Sequence, residues 1–314
     1  MTVLAAEVAE QAGRLATVLD RNAAEIRAVR REIRRRDRVR LLGIGSSRHV
    51  AAYGASCFDA LSPVPATVLA APGAGVPVPV LGRPDVVVVV SQSGRTPALV
   101  PVAASGRAAG ALVVAVTNAA GSPLGRAADV VLDAGAGPER VVPATKSVTT
   151  SMLLLRALAG VSVVPGAVAA AVAAVVADDR LAEVARATEL PDAVVASGFA
   201  AEAVADEVAL KLAEVAAHLA VPEPIVDYLH GPAAVPGPVL ALLDPDDPNS
   251  AALHGALTVG PSPAYDVELP ATGDPTTDAV VRVVAGQCLA LHWATARGLD
   301  PDDPRGLAKV TLTR

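Results

Sequence analysis

The sequence predicts an α/β protein made of parallel sheets flanked by helices in three layers. Three observations lead there. Residues 86–90 are five consecutive valines, the pattern of a strand buried on both faces. From about residue 38, short apolar runs alternate with helical segments, the βαβ rhythm of a parallel sheet. That rhythm pauses over a helical stretch near 147–190 and then restarts, so two units of unequal size are expected. A length of 314 residues agrees with about two domains. The expected division is an N-terminal helical segment at 1–37, a first α/β unit at 38–160, linking helices at 161–190, and a second, shortened unit with a C-terminal tail at 191–314.

Residues 3–36 carry apolar Val8, Leu15, Val18, Leu19, Ile26, Val29 and Ile33 at helical spacing. Val39–Ile44 is an apolar run that ends in Gly-Ile-Gly-Ser-Ser, and a helix is expected from about Ser47 to Ala60. Strands follow at Val64–Ala70 and Val86–Val90, then a helix at 97–109 and a strand at Ala111–Thr117. A turn over Asn118–Pro123 leads to a strand at Asp129–Asp133, and after a loop rich in Gly and Pro a helix starts near Thr145. Residues 178–190 form an amphipathic helix that Pro191 stops. The second unit then shows a strand at Ala193–Ser197, a helix at 201–219, a strand at Pro238–Leu243, short strands near 256–259 and 265–269, and a helix over 278–298.

Composition narrows the function. Hydrophobic residues make up 52%, which excludes disorder, and two cysteines allow at most one disulfide. The formal charge of −6 argues against binding nucleic acid by general charge, and six aromatics leave little for stacking. Eight arginines fall in Arg27–Arg40, read as a solvated helix face rather than a nucleic-acid patch. Residues 157–177 carry no charge and are long enough to span a bilayer, but Pro165–Gly166 interrupt them, so they read as two buried or half-buried helices, with a membrane span as the minor alternative. The N-terminus has acids and no apolar core of a signal peptide. A cytoplasmic protein with free thiols, and no membrane or nucleic-acid partner, is therefore expected.

Ser91-Gln92-Ser93-Gly94-Arg95-Thr96-Pro97 is the most informative stretch. It follows the all-valine strand and opens a helix, where Pro97 suits the first turn. Backbone N–H groups and three hydroxyls at such a place form a phosphate cradle, and the carboxyl end of a parallel strand is where open sheets bind ligands. Gly43-Ile44-Gly45-Ser46-Ser47-Arg48 is a second polar strand-to-helix turn, though Arg48 replaces the last glycine of a dinucleotide fingerprint. Glu207, Lys211, Glu214 and His218 share one helical face. By spacing alone they read as a wet face with an ordinary i,i+4 ion pair. His230 in a loop and Lys309 near the C-terminus have no local pattern that marks them. No cluster has metal-ligand spacing, so no metal or other cofactor is expected.

Taken together these segments resemble the sugar isomerase (SIS) domain family over roughly 38–314. The likeness is to the double-SIS isomerase half of glucosamine-6-phosphate synthase and to stand-alone amino-sugar-phosphate deaminases and isomerases. Gly43–Ser47 matches the first ligand loop and Ser91–Thr96 the SQSG-x-[ST] phosphate loop. Residues 118–129 and 139–146 match the next two segments, 207–214 matches EGALKLKE, 230–232 matches HGP, and 304–309 matches PRNLAK. The resemblance implies roles. Ser46, Ser47, Ser91, Gln92, Ser93 and Thr96 would hold the phosphate, with Val142, Ala144 and Lys211 also lining the sugar site. Glu214 would shuttle a proton between C1 and C2, His230 would open the ring, and Lys309 would approach the carbonyl end. A homodimer is implied as well, because in the family this histidine comes from the neighbouring subunit.

The chain also departs from the pattern. Arg95 stands in place of a Glu, Leu229 precedes His230 where a basic residue is usual, and Ala144 replaces a sugar-contacting Ser, worth about 0.5–1.5 kcal/mol of contact. No glutaminase domain or N-terminal Cys nucleophile is seen, so ammonia is not expected to come from glutamine in cis. The expected activity is that of a phosphosugar isomerase or deaminase, converting an amino-sugar phosphate such as glucosamine-6-phosphate to a ketose phosphate and ammonia, with aldose–ketose isomerisation without nitrogen chemistry as a neighbouring version. The alternative is a non-catalytic sugar-phosphate-binding regulator.

Overall fold

In the structure, a computed structural model, residues 2–72, 79–160, 163–259 and 264–304 are described. The N-terminal helical spacing resolves into three helices, α1 (Val3–Ala9), α2 (Gln11–Arg21) and α3 (Ala23–Ile33). Asn22 makes the second break. Its buried amide nitrogen donates to the carbonyls of Val18 (2.7 Å) and Asp133 (2.9 Å), and its oxygen accepts from the Asp133 N–H at 2.8 Å. A side-chain amide thus pairs with a strand edge as a peptide group would.

The chain divides into two compact units. The first holds Glu10–Arg140 and Ala144–Ala169. Its elements after α3 are β1 (Arg38–Leu42), α4 (Ser46–Leu61), β2 (Ala66–Val68), β3 (Asp85–Val90), α5 (Leu99–Ala108), β4 (Leu112–Thr117), α6 (Pro123–Ala127), β5 (Val130–Asp133) and α7 (Lys146–Ala159). The five strands are parallel in the order β2-β1-β3-β4-β5. Every residue of β3 is buried, as a central strand of a doubly covered sheet requires. Strand alternation sends Leu42, Val87 and Val89 against Leu99 and Val102 of α5, while Leu41 lies beside Gly54 of α4 and Leu155 of α7. Helices therefore cover both faces. The short α6 was not foreseen, and α5 starts at Leu99, so Pro97 lies in the turn before the helix rather than in its first turn.

Asp85 anchors the β1–β3 pair. It is fully buried, meets Arg38 at 2.6 Å and Arg40 at 3.5 Å, and accepts from the Gly82 N–H at 2.8 Å. Burial pushes its pKa up, but the Arg38 hydrogen bond, the Gly82 amide and both guanidinium charges outweigh it and hold the carboxyl below the usual range. A depressed folded pKa means a contribution that is present above the unfolded value of about 3.9 and is lost as pH falls through the folded one. Asp85→Asn is expected to cost about 1–3 kcal/mol at neutral pH and to flatten the acid limb of stability against pH, read by urea unfolding. Equal stability of both proteins at neutral pH would sink this account.

The basic stretch is less free than a solvated face. Of its eight arginines, Arg38 and Arg40 bind Asp85, Arg30 donates to Gly160 O at 2.5 Å, Arg36 donates to Arg83 O, and Arg35 pairs with Glu32 at 2.8 Å.

Two helices follow, α8 (Pro165–Val176) and α9 (Asp179–Ala187). The uncharged run at 157–177 is thus divided between the end of α7 and α8, with Pro165 opening the latter. Among the described residues, the second unit comprises 2–9, Val141–Pro143 and 170–304. After α9 it contains β6 (Ala193–Ala196), α10 (Ala201–Ala216), β7 (Val221–Pro224), α11 (Ile225–Leu229), a 3-10 turn at Pro232–Ala234, β8 (Val239–Leu242), α12 (Ser250–Val259), β9 (Ala264–Asp266) and α13 (Pro275–Ala296). Its four strands are parallel in the order β7-β6-β8-β9, one strand fewer than the first sheet.

Three expectations change here. The strand expected near 256–259 is the end of helix α12. The segment Val221–Pro224 is an unforeseen strand, tolerated with two prolines because β7 lies on the sheet edge. The helix expected to 219 ends at Ala216, where Ala217 turns to a left-handed φ of 52°. Among the described residues, α13 is long and apolar enough to cross a membrane, but 83% of its apolar window is buried within the protein, as in a core helix. Cys57 and Cys288 are buried and not joined in a disulfide, and burial pushes the Cys288 thiol up to about 12.

Candidate functional site

Two polar turns stand at the carboxyl ends of the neighbouring strands β1 and β3 of the first unit. In the first turn, a Cβ at Gly43 would lie 2.1 Å from the Ser47 carbonyl oxygen, so glycine lets α4 begin hard against the strand end. Ser46 and Ser47 form the opening turn of this 16-residue helix, where backbone N–H groups and the helix dipole favour an anion.

In the second turn the hydroxyls of Ser91 and Thr96 lie 3.0 Å apart, and Ser93 Oγ accepts from the Arg95 N–H at 3.3 Å. The backbone is pinned from β4. The Asn118 N–H donates to Gln92 O at 3.0 Å and Thr117 Oγ1 donates to the same oxygen at 3.2 Å. Gly94 has φ +59°, and a Cβ there would meet Ser122 Oγ at 1.9 Å. The loop is thus folded onto the start of α6, and the Gly94 carbonyl accepts from the Leu124 N–H at 3.0 Å. Gly94→Ala combines left-handed strain with this overlap. It is expected to cost about 1–3 kcal/mol, seen as a fall in melting temperature, and an unchanged melting temperature would refute the packing described.

A narrow cleft joins the two turns. Ser46, Ser47, Gln92 and Ala144 line it, together with Ser147 and Ser151 of α7. The last two were not singled out from sequence, although a helix start written Lys-Ser-Val-Thr-Thr-Ser is unusually rich in hydroxyls for one whose residues are all buried. The structure divides these hydroxyls. Thr149 donates to Gln11 at 2.9 Å and Thr150 to Lys146 O at 2.8 Å, while Ser147 and Ser151, one turn apart, reach the cleft. Glu139 holds Ser147. One carboxylate oxygen accepts from the N–H groups of Thr145 (3.0 Å) and Ser147 (3.1 Å), and the other from Ser147 Oγ at 2.5 Å. A carboxylate thus already occupies the N-terminus of α7. Lys146, which follows, is fully buried and pairs with Glu10 at 2.8 Å. That hydrogen bond holds the Glu10 carboxyl below its usual range, against the opposing effect of burial. Val142 is half-buried and falls with the second unit.

In the second unit, α10 carries Glu207, Lys211 and Glu214 on one face. This is not the wet face that spacing suggested. Glu207 and Lys211 are each 1% exposed with Nζ and Oε1 3.5 Å apart, and Lys211 also donates to Glu214, which is 17% exposed. Burial lowers the Lys211 pKa, but the charges and hydrogen bonds of the two glutamates raise it further, so the net direction is up and the ammonium persists. Glu214 is therefore a carboxylate that reaches solvent at one end of a buried row and is oriented by a fixed cation behind it. His218 leaves this face. It follows the helix end, and its Nε2 lies 2.8 Å from Pro191 O. His230 is exposed at the end of α11. Lys309 lies outside the described residues.

Comparison with known proteins gives a consistent result. Residues 32–160 match the SIS domain family. Glutamine–fructose-6-phosphate aminotransferase (isomerizing) of Pyrobaculum aerophilum is 35% identical over 230 residues, 62% of this chain and 38% of that protein. The chain thus spans well under half the length of the curated relatives it matches. A Silicibacter pomeroyi DSS-3 crystal structure, provisionally named a phosphosugar isomerase, has a TM-score of 0.82 at 26% identity over 96% of this chain and 100% of that one. The fold is also that of glucosamine-6-phosphate deaminase from Thermotoga maritima, with a TM-score of 0.82 at 20% identity, covering 99% of this chain and 100% of the other.

Proposed function

We propose that this chain, whose residues 32–160 match the SIS domain family and which is similar to part of an isomerizing aminotransferase, is an enzyme acting on an amino-sugar phosphate. The reaction we assign is conversion of glucosamine-6-phosphate, or a related amino-sugar phosphate, to the ketose phosphate and ammonia. The observation that carries this reading is the buried Glu207–Lys211–Glu214 row. A passive binding module has no need of two carboxylates and an ammonium inside an Ala/Val/Leu helix, where desolvating charges is costly.

The residues divide the work. Ser91, Ser93 and Thr96, with Gln92, Ser46 and Ser47, take the phosphate through hydroxyls and N–H groups, which suits a chain of formal charge −6. Val142 and Ala144 belong to the sugar contacts, Ala144 offering no hydroxyl, and Ser147 offers one that was not counted on. His230 assists opening of the ring and Lys309 approaches the open carbonyl. Glu214 then takes the proton from C2 of the open aldose and returns it at C1 through an enolamine. The imine left at C2 adds water and releases ammonia as the ketose forms. General acid–base transfer of this kind is worth about 10²–10⁴-fold. A homodimer that supplies His230 across its interface belongs to the same proposal.

The test is ammonia release by purified protein given glucosamine-6-phosphate, with fructose-6-phosphate as the second product. Ketose formation without ammonia, from a hexose phosphate, would make it an aldose–ketose isomerase. No turnover of any hexosamine or hexose phosphate would leave the regulator reading.

A further inference from the structure

The second unit has a cleft of about 520 Å³ at the carboxyl ends of β8 and β9, and nothing in the proposed reaction uses it. That end of an open parallel sheet is where ligands bind, and the volume suits a small molecule. It is separate from the Glu214 cluster. The β6 end lies at the start of α10 and Glu214 thirteen residues along that helix, roughly 20 Å away at 1.5 Å per residue.

At its floor Arg282 of α13 is 5% exposed. Its Nη2 donates to Asp244 at 3.1 Å, while Nη1 is buried and has no hydrogen-bond acceptor among the described residues. A buried guanidinium N–H beside a cleft asks for an oxygen from whatever fills it. The remaining charges decide what kind of oxygen. Asp244, Asp266, Glu268 and Asp278 line the cleft against Arg282 and His254. Asp244 neutralises Arg282, His254 lies 2.6 Å from Asp266, and Asp278 accepts from the Thr272 N–H and hydroxyl, each at 2.7 Å. Asp266 and Glu268 stand exposed on the rim. This acidic excess repels a phosphate ester and attracts hydroxyls and an ammonium, while leucine, valine and proline side chains form apolar walls for the C–H face of a ring.

We infer that the second unit carries a separate binding site for a small polyhydroxylated amine without phosphate, such as a free amino sugar. Arg282 Nη1 donates to a hydroxyl oxygen, and Asp266 and Glu268 accept from the ammonium. The site does not depend on the sugar-phosphate reading of the first unit.

Calorimetric titration of the full chain with glucosamine, glucose and inorganic phosphate tests it. Glucosamine is expected to bind, excess phosphate is expected not to displace it, and glucose is expected to bind at least about tenfold more weakly, a difference of about 1.4 kcal/mol. The rim double variant Asp266→Asn/Glu268→Gln, exposed and therefore tolerant of change, is expected to lose glucosamine binding by at least about tenfold and keep the wild-type melting temperature. Absence of glucosamine binding, displacement by phosphate, equal affinity for glucose, or full binding by the rim variant would each overturn the assignment.

Discussion

Glu214→Gln is expected to lower turnover of glucosamine-6-phosphate by about 10²–10⁴-fold while binding of fructose-6-phosphate persists. The amide keeps the shape of the side chain but cannot take a carbon-bound proton. Glu214 sits at the solvent-reaching end of the α10 row at 17% exposure, and Lys211 still has Glu207 as partner after the change, so the fold should hold. The readout that separates chemistry from binding is deuterium uptake. In heavy water the wild type should place solvent deuterium at C1 of the product, and the variant should not. A variant with full turnover would remove Glu214 from the chemistry. A wild type that binds the sugar phosphate but exchanges no proton would make the chain a sensor.

What sequence could show of this site follows from what each signal depends on. The valines at 86–90 and the Ser91–Thr96 loop were legible because both are local: burial on two faces writes a run of β-branched residues, and the turn needs its own hydroxyls and glycine. The extent of pinning was not legible, since the overlap at Gly94 comes from Ser122, far along the chain. Ser147 and Ser151 were hidden because a capped helix start also uses hydroxyls, and only the folded chain shows that both line the cleft while Ser147 Oγ donates to Glu139. The edge strand Val221–Pro224 was missed because proline argues against a strand except where no ladder partner is needed. The apolar residues near 256–259 suited a strand or a helix equally in so short a window, and the preceding turns of α12 decided for helix.

The α10 row is the sharpest case, because an i,i+4 Glu–Lys pair reads the same whether wet or buried, and only burial changes its energetics. On a wet face Lys211 could be replaced for a few tenths of a kcal/mol. Where it stands, Lys211→Met takes the ammonium away from Glu207, a carboxylate only 1% exposed. The expected loss is about 3–5 kcal/mol in urea unfolding. Adding Glu207→Gln should recover much of it, because removing both charges removes the desolvation penalty that one alone creates. The pH dependence has a definite sign. The folded pKa of Lys211 is raised, so its contribution is complete below the unfolded value of about 10.4 and is lost as pH rises through the folded value. The stability gap between wild type and Lys211→Met should therefore narrow in alkali, as wild-type Lys211 loses its proton. A single-variant loss near 0.5 kcal/mol would return the row to an ordinary surface pair. The fixed cation that orients Glu214 would then be lost as an argument for catalysis.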